Sequence, residues 1–84
     1  MTAPEYTAIR HARVADDSHV LWLAIGRWDY ADGTTEWTLE YWDAQGEAGD
    51  DTTVADEETA RALAAQKFGI EEEDWRDGPQ PWGA

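Results

Sequence analysis

Three segments in the first half of the chain alternate in the two-residue rhythm of β-strands and predict strands at residues 6–14, 19–30 and 34–43. The third segment has the clearest pattern. Its odd positions hold Thr, Trp, Leu and Tyr, while its even positions hold Glu, Thr, Glu and Trp. Because successive side chains of a strand point to opposite faces, this strand should carry one mostly apolar face and one acidic face with a tryptophan.

The second segment is apolar on both faces near its middle, which favours a central strand that is covered on both sides. Between the second and third segments stands Asp32-Gly33, which predicts a hairpin with a type I′ turn. Residues 44–55 are rich in Gly, Asp and Ala and predict a loop, with an extended piece only at residues 52–54.

A helix is predicted to follow this loop. Asp56 is a good N-cap, Glu57 and Glu58 suit the positive end of the helix dipole, and Gly69 suits the left-handed residue that ends a helix. Four apolar residues share one stripe of the helix: Ala60, Leu63, Ala64 and Phe68. Residues 71–77 are expected to add a further helical turn around Trp75.

These elements predict an α+β fold of β-β-β-α type, in which a three-stranded antiparallel meander packs one helix on one face. Residues 1–77 should form a single domain, and residues 78–84 an irregular tail. On the covered face, residues 21, 23 and 25 are expected to contact residues 60, 63 and 68 of the helix. The opposite face would carry tryptophans with little cover, namely Trp22, Trp28 and Trp42.

The net charge of the chain disfavours some classes of binding partner. The 84 residues carry 19 Asp and Glu against six Lys and Arg, a net charge of −13, and all of this excess lies in residues 29–84. Direct binding of nucleic acid is disfavoured because it requires a basic surface, and anionic membranes are disfavoured for the same reason.

Catalytic and metal sites are not indicated. The chain has no cysteine and only two histidines, His11 and His19. The pair Ser18-His19 cannot form a nucleophile and base, because neighbouring strand residues point to opposite faces. We therefore expect no enzyme activity, no metal, no cofactor and a cytoplasmic location.

One positive feature remains, a series of acidic residues around one tryptophan. Residues 43–58 contain seven acids and no base, and Glu36 and Glu40 precede them on one strand face. If they converge, they form an anionic surface with an aromatic anchor, which predicts a binding site for another protein. Its expected members are Glu36, Glu40, Trp42, Asp43, Glu47, Asp50, Asp51, Asp56, Glu57 and Glu58.

In size and charge the chain resembles small DNA-mimic inhibitors, a likeness of composition without a shared motif. The resemblance implies a basic partner, with nucleic-acid-processing proteins as the favoured class, whose groove accepts carboxylates in place of phosphates. The alternative is an interaction or structural module that forms a homodimer through the aromatic sheet face. In that case the acidity reflects only genome composition or adaptation to salt. Separately, the segment at residues 79–82, Pro-Gln-Pro-Trp, is a candidate for an extended peptide that binds a groove.

Overall fold

The computed structural model describes residues 3–15, 19–43, 45 and 47–78, with the backbone alone at positions 48 and 50. The elements in this part of the chain are five strands, one α-helix and one 3-10 helix, which we name as follows: β1 (Glu5–Arg13), β2 (Trp22–Asp29), β3 (Thr35–Trp42), β4 (Ala48–Val54), α1 (Glu57–Phe68), the 3-10 helix (Glu72–Asp74) and β5 (Arg76–Asp77). Ser18 and all of the predicted tail at residues 78–84 except Gly78 lie outside the described residues, so the predictions for them are not addressed.

All strands pair antiparallel in one sheet of order β4-β3-β2-β1-β5. Strands β1 to β4 form a meander, and the chain then passes through α1 and returns to the outer edge of β1. The predicted α+β class is confirmed. The prediction of three strands is too few, since the described sheet has five.

Strand β4 occupies most of the predicted loop at residues 44–55. Its sequence is polar and contains Gly and two Asp, residues that are depleted in strands. The backbone of β3 pairs with it from Trp37, opposite Val54, to Trp42, opposite Ala48. This segment therefore forms a strand because β3 offers it hydrogen-bond partners, although its residues have low strand propensity. No pattern in the local sequence indicates this pairing.

The turn between β2 and β3 is not of type I′. That turn requires positive φ at both central residues, and no described residue other than glycine has a positive φ. Instead the amide of Gly33 donates to the carbonyl of Tyr30 at 3.0 Å, and Gly33 alone takes a φ of 90°. The side chain of Asp32 accepts from the amide of Thr34 at 3.0 Å, which stabilises the longer turn.

The helix prediction is confirmed at both ends. Asp56 is extended and its carboxylate accepts from the amide of Thr59 at 2.7 Å, while Gly69 is left-handed at φ 68° and ψ 24°. The further helical turn exists only as the 3-10 helix, because the chain becomes extended at Trp75 and pairs with β1 at Arg76.

The hydrophobic core lies between the sheet and α1. Leu23, Ile25 and Leu39 are fully buried there, together with Ala60 and Ala64 of the helix. Two further apolar residues of the helix, Leu63 and Phe68, are partly buried against this core, as expected.

One predicted core contact is wrong. Leu21 is partly exposed and does not belong to the core cluster, whereas Val20 packs against it. The physical reason is that β2 begins at Trp22, so the alternation of the strand does not extend back to residues 20 and 21.

Candidate interaction surface

The sheet face opposite α1 carries most of the chemistry that the core does not use. We call it the open face. Strand register and side-chain alternation assign its members: Tyr6, Ala8, His11, Arg13, Trp22, Ala24, Gly26, Trp28, Glu36, Thr38, Glu40, Trp42, Asp51, Thr53 and Arg76. Ring contacts support the assignment, since Tyr6 lies 4.9 Å from Trp28 and His11 lies 5.6 Å from Trp22, between ring centroids.

Part of the open face is closed by one of its own side chains. At its centre Ala24 is fully buried and Gly26 is buried, although none of the described helices lies above them. The ring of Tyr6 lies directly over Gly26, so that a Cβ added there would be 2.2 Å from the Tyr6 hydroxyl oxygen. The prediction of poorly covered tryptophans is thus only partly right, because Trp22, Trp28 and Trp42 are each of intermediate exposure.

Three buried polar atoms on the open face have no hydrogen-bond partner within the described residues: Trp22 Nε1, Thr38 Oγ1 and Trp42 Nε1. Leaving a buried donor or acceptor unpaired costs about 1–3 kcal/mol. The hydrogen-bonding groups of this face are therefore less completely paired than those of the core on the other side of the sheet.

Acidic side chains occupy one half of the open face, along β3 and β4. We define the acidic half as Glu36, Glu40 and Asp51. Glu40 and Asp51 are direct cross-strand partners, which places two carboxylates side by side. The carboxylate of Glu40 accepts a hydrogen bond from the hydroxyl of Tyr6. Burial of that hydroxyl, together with this bond and the Glu40 charge, raises the pKa of Tyr6.

Basic side chains occupy the other half, along β1 and β5. We define the basic half as His11, Arg13 and Arg76. The three residues line a hollow of about 260 Å³ together with Trp22 and Asp74. The guanidinium carbon of Arg13 lies 5.6 Å from the centroid of the Trp22 ring. A guanidinium nitrogen of Arg76 donates to the carbonyl of Glu73 at 2.6 Å.

The two arginines of the basic half differ from the other three. Every described ion pair of an arginine involves Arg10, Arg27 or Arg61. For example, Arg61 lies 2.8 Å from the carboxylate of Glu57. Neither Arg13 nor Arg76 has a carboxylate partner among the described residues. The basic half could not be predicted from the sequence without β5, although the alternation of His11 and Arg13 along β1 is visible there.

The ten residues predicted as a binding surface do not form one continuous patch. Four of them lie together on the open face: Glu36, Glu40, Trp42 and Asp51. Asp43 and Glu47 lie at the hairpin between β3 and β4, where the Asp43 carboxylate accepts from the amides of Gln45 at 2.9 Å and Glu47 at 3.0 Å. The backbone of Asp50 pairs with Tyr41, and its side chain is outside the described part of the structure.

The remaining three predicted residues lie at the start of α1, at the other end of β4. Seven strand residues separate the two ends by about 20 Å. Asp56 is the N-cap, and its hydrogen bonds with Thr59, chiefly the one from the backbone amide, lower the pKa of its carboxyl. Glu57 lies between Arg10, at 3.3 Å, and Arg61. Glu58 is exposed. Two of these carboxylates thus have structural partners already.

The described residues contain neither a metal-binding cluster nor a membrane-spanning helix. Among the described residues, no group of three or more His, Asp or Glu could hold a metal ion. Within the same part of the chain, no helix has the length and apolar character needed to cross a bilayer.

The chain matches no protein-family model, no curated protein and no solved structure. Its function must therefore be argued from the chemistry of the open face.

Proposed function

We propose that this chain is a small binding protein that inhibits or regulates a basic protein by placing the acidic half of its open face in the partner's groove. The favoured partners are nucleic-acid-processing proteins, whose grooves accept phosphates and hence also carboxylates. The observation that carries the proposal is the pairing of Glu40 with Asp51 across β3 and β4.

Like charges that face each other across two strands destabilise a sheet. No described ion pair involves Glu36 or Glu40, so the arginines of the chain do not offset these charges. A cationic partner would relieve the repulsion on binding, and the net charge of −13 would accelerate its approach.

The extent of the acidic half fits a groove on the partner better than a contact with a single side chain. Glu36 and Glu40 are four residues apart on β3, a separation of about 13 Å along the strand, and Asp51 widens the charged area by one strand. Trp42 lies at the end of this row with a half-buried indole, the kind of side chain that anchors protein interfaces.

The proposal is tested by affinity capture from native lysate with two charge-reversed forms of the chain. Glu36→Lys with Glu40→Lys changes the acidic half. Glu5→Lys with Glu58→Lys makes the same change in net charge at exposed residues away from the open face. We expect the wild type and the control to capture a basic protein that elutes as salt rises and that DNA displaces, and the E36K/E40K variant to lose it.

Equal capture by both variants would contradict the proposal, because net charge alone would then explain the binding. A partner retained in high salt would also contradict it and would point to the tryptophans. If no partner is captured and the free energy of unfolding rises steeply toward molar salt, the acidity reflects salt adaptation instead.

A further inference from the structure

The basic half of the open face places two guanidinium groups beside one hollow. Arg13 and His11 are alternate residues of β1, and Arg76 of β5 is the register partner of His11. Arg13 and Arg76 are therefore diagonal neighbours on one face, with backbones about 7–8 Å apart. Both arginines are exposed, and together with Trp22 they line the hollow of about 260 Å³. Two positive charges this close repel each other, and an anion between them would relieve the repulsion.

We propose that this hollow binds one phosphate group, the dianionic head of a small phosphate monoester. Arg13 and Arg76 donate hydrogen bonds to its terminal oxygens, and the ring of Trp22 forms an apolar wall beside it. None of these residues belongs to the acidic half, so the site is independent of the proposed function.

A comparison with Arg27 shows what Arg13 lacks. The guanidinium carbon of Arg13 lies 5.6 Å from the centroid of the Trp22 ring, and that of Arg27 lies 5.7 Å from the centroid of the Trp37 ring. Arg27 also has a carboxylate partner, Asp29, at 3.1 Å. Arg13 has the same contact with an indole but no carboxylate among the described residues, so its guanidinium can still donate to an anionic ligand.

The guanidinium of Arg76 is oriented by its own segment of the chain. Its Nη1 atom donates to the carbonyl of Glu73 at 2.6 Å and lies 3.2 Å from the carbonyl oxygen of Trp75. Within the described residues, these bonds leave Nε and Nη2 for an oxyanion. Because the side chain is already held in one orientation, it loses less conformational entropy when a ligand binds.

The charges that line the hollow favour a phosphate group over a carboxylate. A single arginine can satisfy a carboxylate with two parallel hydrogen bonds, whereas a phosphate group carries about two negative charges and three acceptor oxygens. His11 can add a further positive charge. Its Nδ1 atom lies 3.0 Å from the carbonyl oxygen of Gly78, which only accepts, so Nδ1 carries a proton and Nε2 is the atom that can gain a second one.

The size of the hollow limits the rest of the ligand. Its volume of about 260 Å³ lies just below the range of about 300–1,000 Å³ that is typical of small-molecule pockets. It therefore suits a phosphate group with only a few further atoms. A nucleic acid is not expected, because it requires a row of basic contacts along its backbone.

Acidic residues near the hollow weaken the attraction for an anion but do not abolish it. Asp74 also lines the hollow, and its carboxylate already accepts from the amide of Glu71 at 2.8 Å. The acidic half begins two strands away from β1, at a distance of about 10 Å, whereas physiological salt screens charges beyond about 8 Å.

Titration of the ¹⁵N-labelled full chain with inorganic phosphate and with glycerol phosphate, at constant ionic strength, tests the proposal. The indole N–H resonance of Trp22, assigned through Trp22→Phe, reports on the hollow. We expect both probes to shift this resonance saturably, with a dissociation constant of about 1 mM or lower. Acetate, the carboxylate probe, should bind at least about 10-fold more weakly.

Four substitutions locate the site. Arg13→Gln and Arg76→Gln should each weaken phosphate binding at least about 10-fold, because each removes charge-assisted hydrogen bonds. Arg27→Gln makes the same charge change beside Trp37 and should change the dissociation constant less than about 2-fold, because its charge is screened. Asp74→Asn keeps an acceptor for the Glu71 amide and should tighten binding, since it removes the nearest negative charge.

The tighter binding expected of Asp74→Asn cannot arise from unfolding, and the dispersion of the amide resonances shows whether each variant is folded. Absence of saturation by either probe up to about 10 mM overturns the proposal. Equal weakening by Arg27→Gln overturns it as well, because net charge alone would then explain the binding. Acetate that binds as tightly as phosphate, or weaker binding by a folded Asp74→Asn variant, also overturns it.

Discussion

The two faces of the sheet are closed in different ways. On the helix side, Leu23, Ile25 and Leu39 are fully buried beneath α1, and their neighbours in the core are almost all apolar. On the open face, Ala24 and Gly26 are also buried, and the ring of Tyr6, a residue of the same sheet, covers Gly26.

Because of this difference, we expect the helix side of the sheet to supply most of the stability and the open face to serve binding. A second element can bury large aliphatic residues completely, which supplies most of the hydrophobic free energy. Aromatic rings lying on small residues close the open face only in part and leave half-exposed edges and charges. The helix side is therefore expected to determine folding, whereas the open face remains available for binding.

The largest expected effect is at the helix-covered core. Leu39→Ala should lower the free energy of unfolding by about 2–5 kcal/mol, because it leaves a cavity in a fully buried site. Urea denaturation measures the loss. The exposed residue Thr35, at the start of the same strand, provides the control Thr35→Ala, which should change stability by less than about 1 kcal/mol. A loss below about 1 kcal/mol for Leu39→Ala would show that α1 does not close this face.

A smaller effect is expected at the centre of the open face. Gly26→Ala should cost about 1–3 kcal/mol, because the new methyl group displaces the ring of Tyr6 from its contact with Trp28. In a Tyr6→Ala background the same change should cost far less, and a double-mutant cycle measures this coupling. Gly49→Ala is the matched control, since nothing lies within 4 Å of the added atom. Equal costs of Gly26→Ala in both backgrounds would refute closure by the Tyr6 ring.

The smallest effect is expected next to Leu39 on the other side of β3. Thr38 is buried at 3% exposure and its hydroxyl has no partner within the described residues. Thr38→Val should therefore leave the free energy of unfolding unchanged or raise it by up to about 1 kcal/mol. Thermal unfolding compared with Thr53→Val, at the exposed register partner, is the measurement. A loss above about 1 kcal/mol would show that the hydroxyl of Thr38 is hydrogen-bonded.

Local signals explain why some elements were predictable. The alternation along β3 and the caps of α1 at Asp56 and Gly69 depend on residues close together in sequence. Strand β4 was largely predicted as loop, since its polar sequence forms a strand only through the hydrogen bonds that β3 offers. Strand β5 pairs with residues far away in the sequence, Arg10 with Asp77 and His11 with Arg76, and a strand of two residues carries no periodic pattern.

The candidate surface, like the fold, could be predicted from the sequence only in part. The strand pattern correctly placed Glu36, Glu40 and Trp42 on one face. It could not show that Asp51 joins them, that Asp56 and Glu57 have structural partners, or that Arg76 lies beside His11.

The sequence by itself determined the strongly acidic composition, the helix with its caps and the two-faced character of β3, because each follows from composition or from neighbours within a few residues. Only the tertiary structure decided that the open face is basic on one side of β2 and acidic on the other. The physical reason is that strand pairing, which brings Arg76 and Asp51 into one row, depends on backbone hydrogen bonds between distant segments, and these bonds are largely independent of side-chain identity.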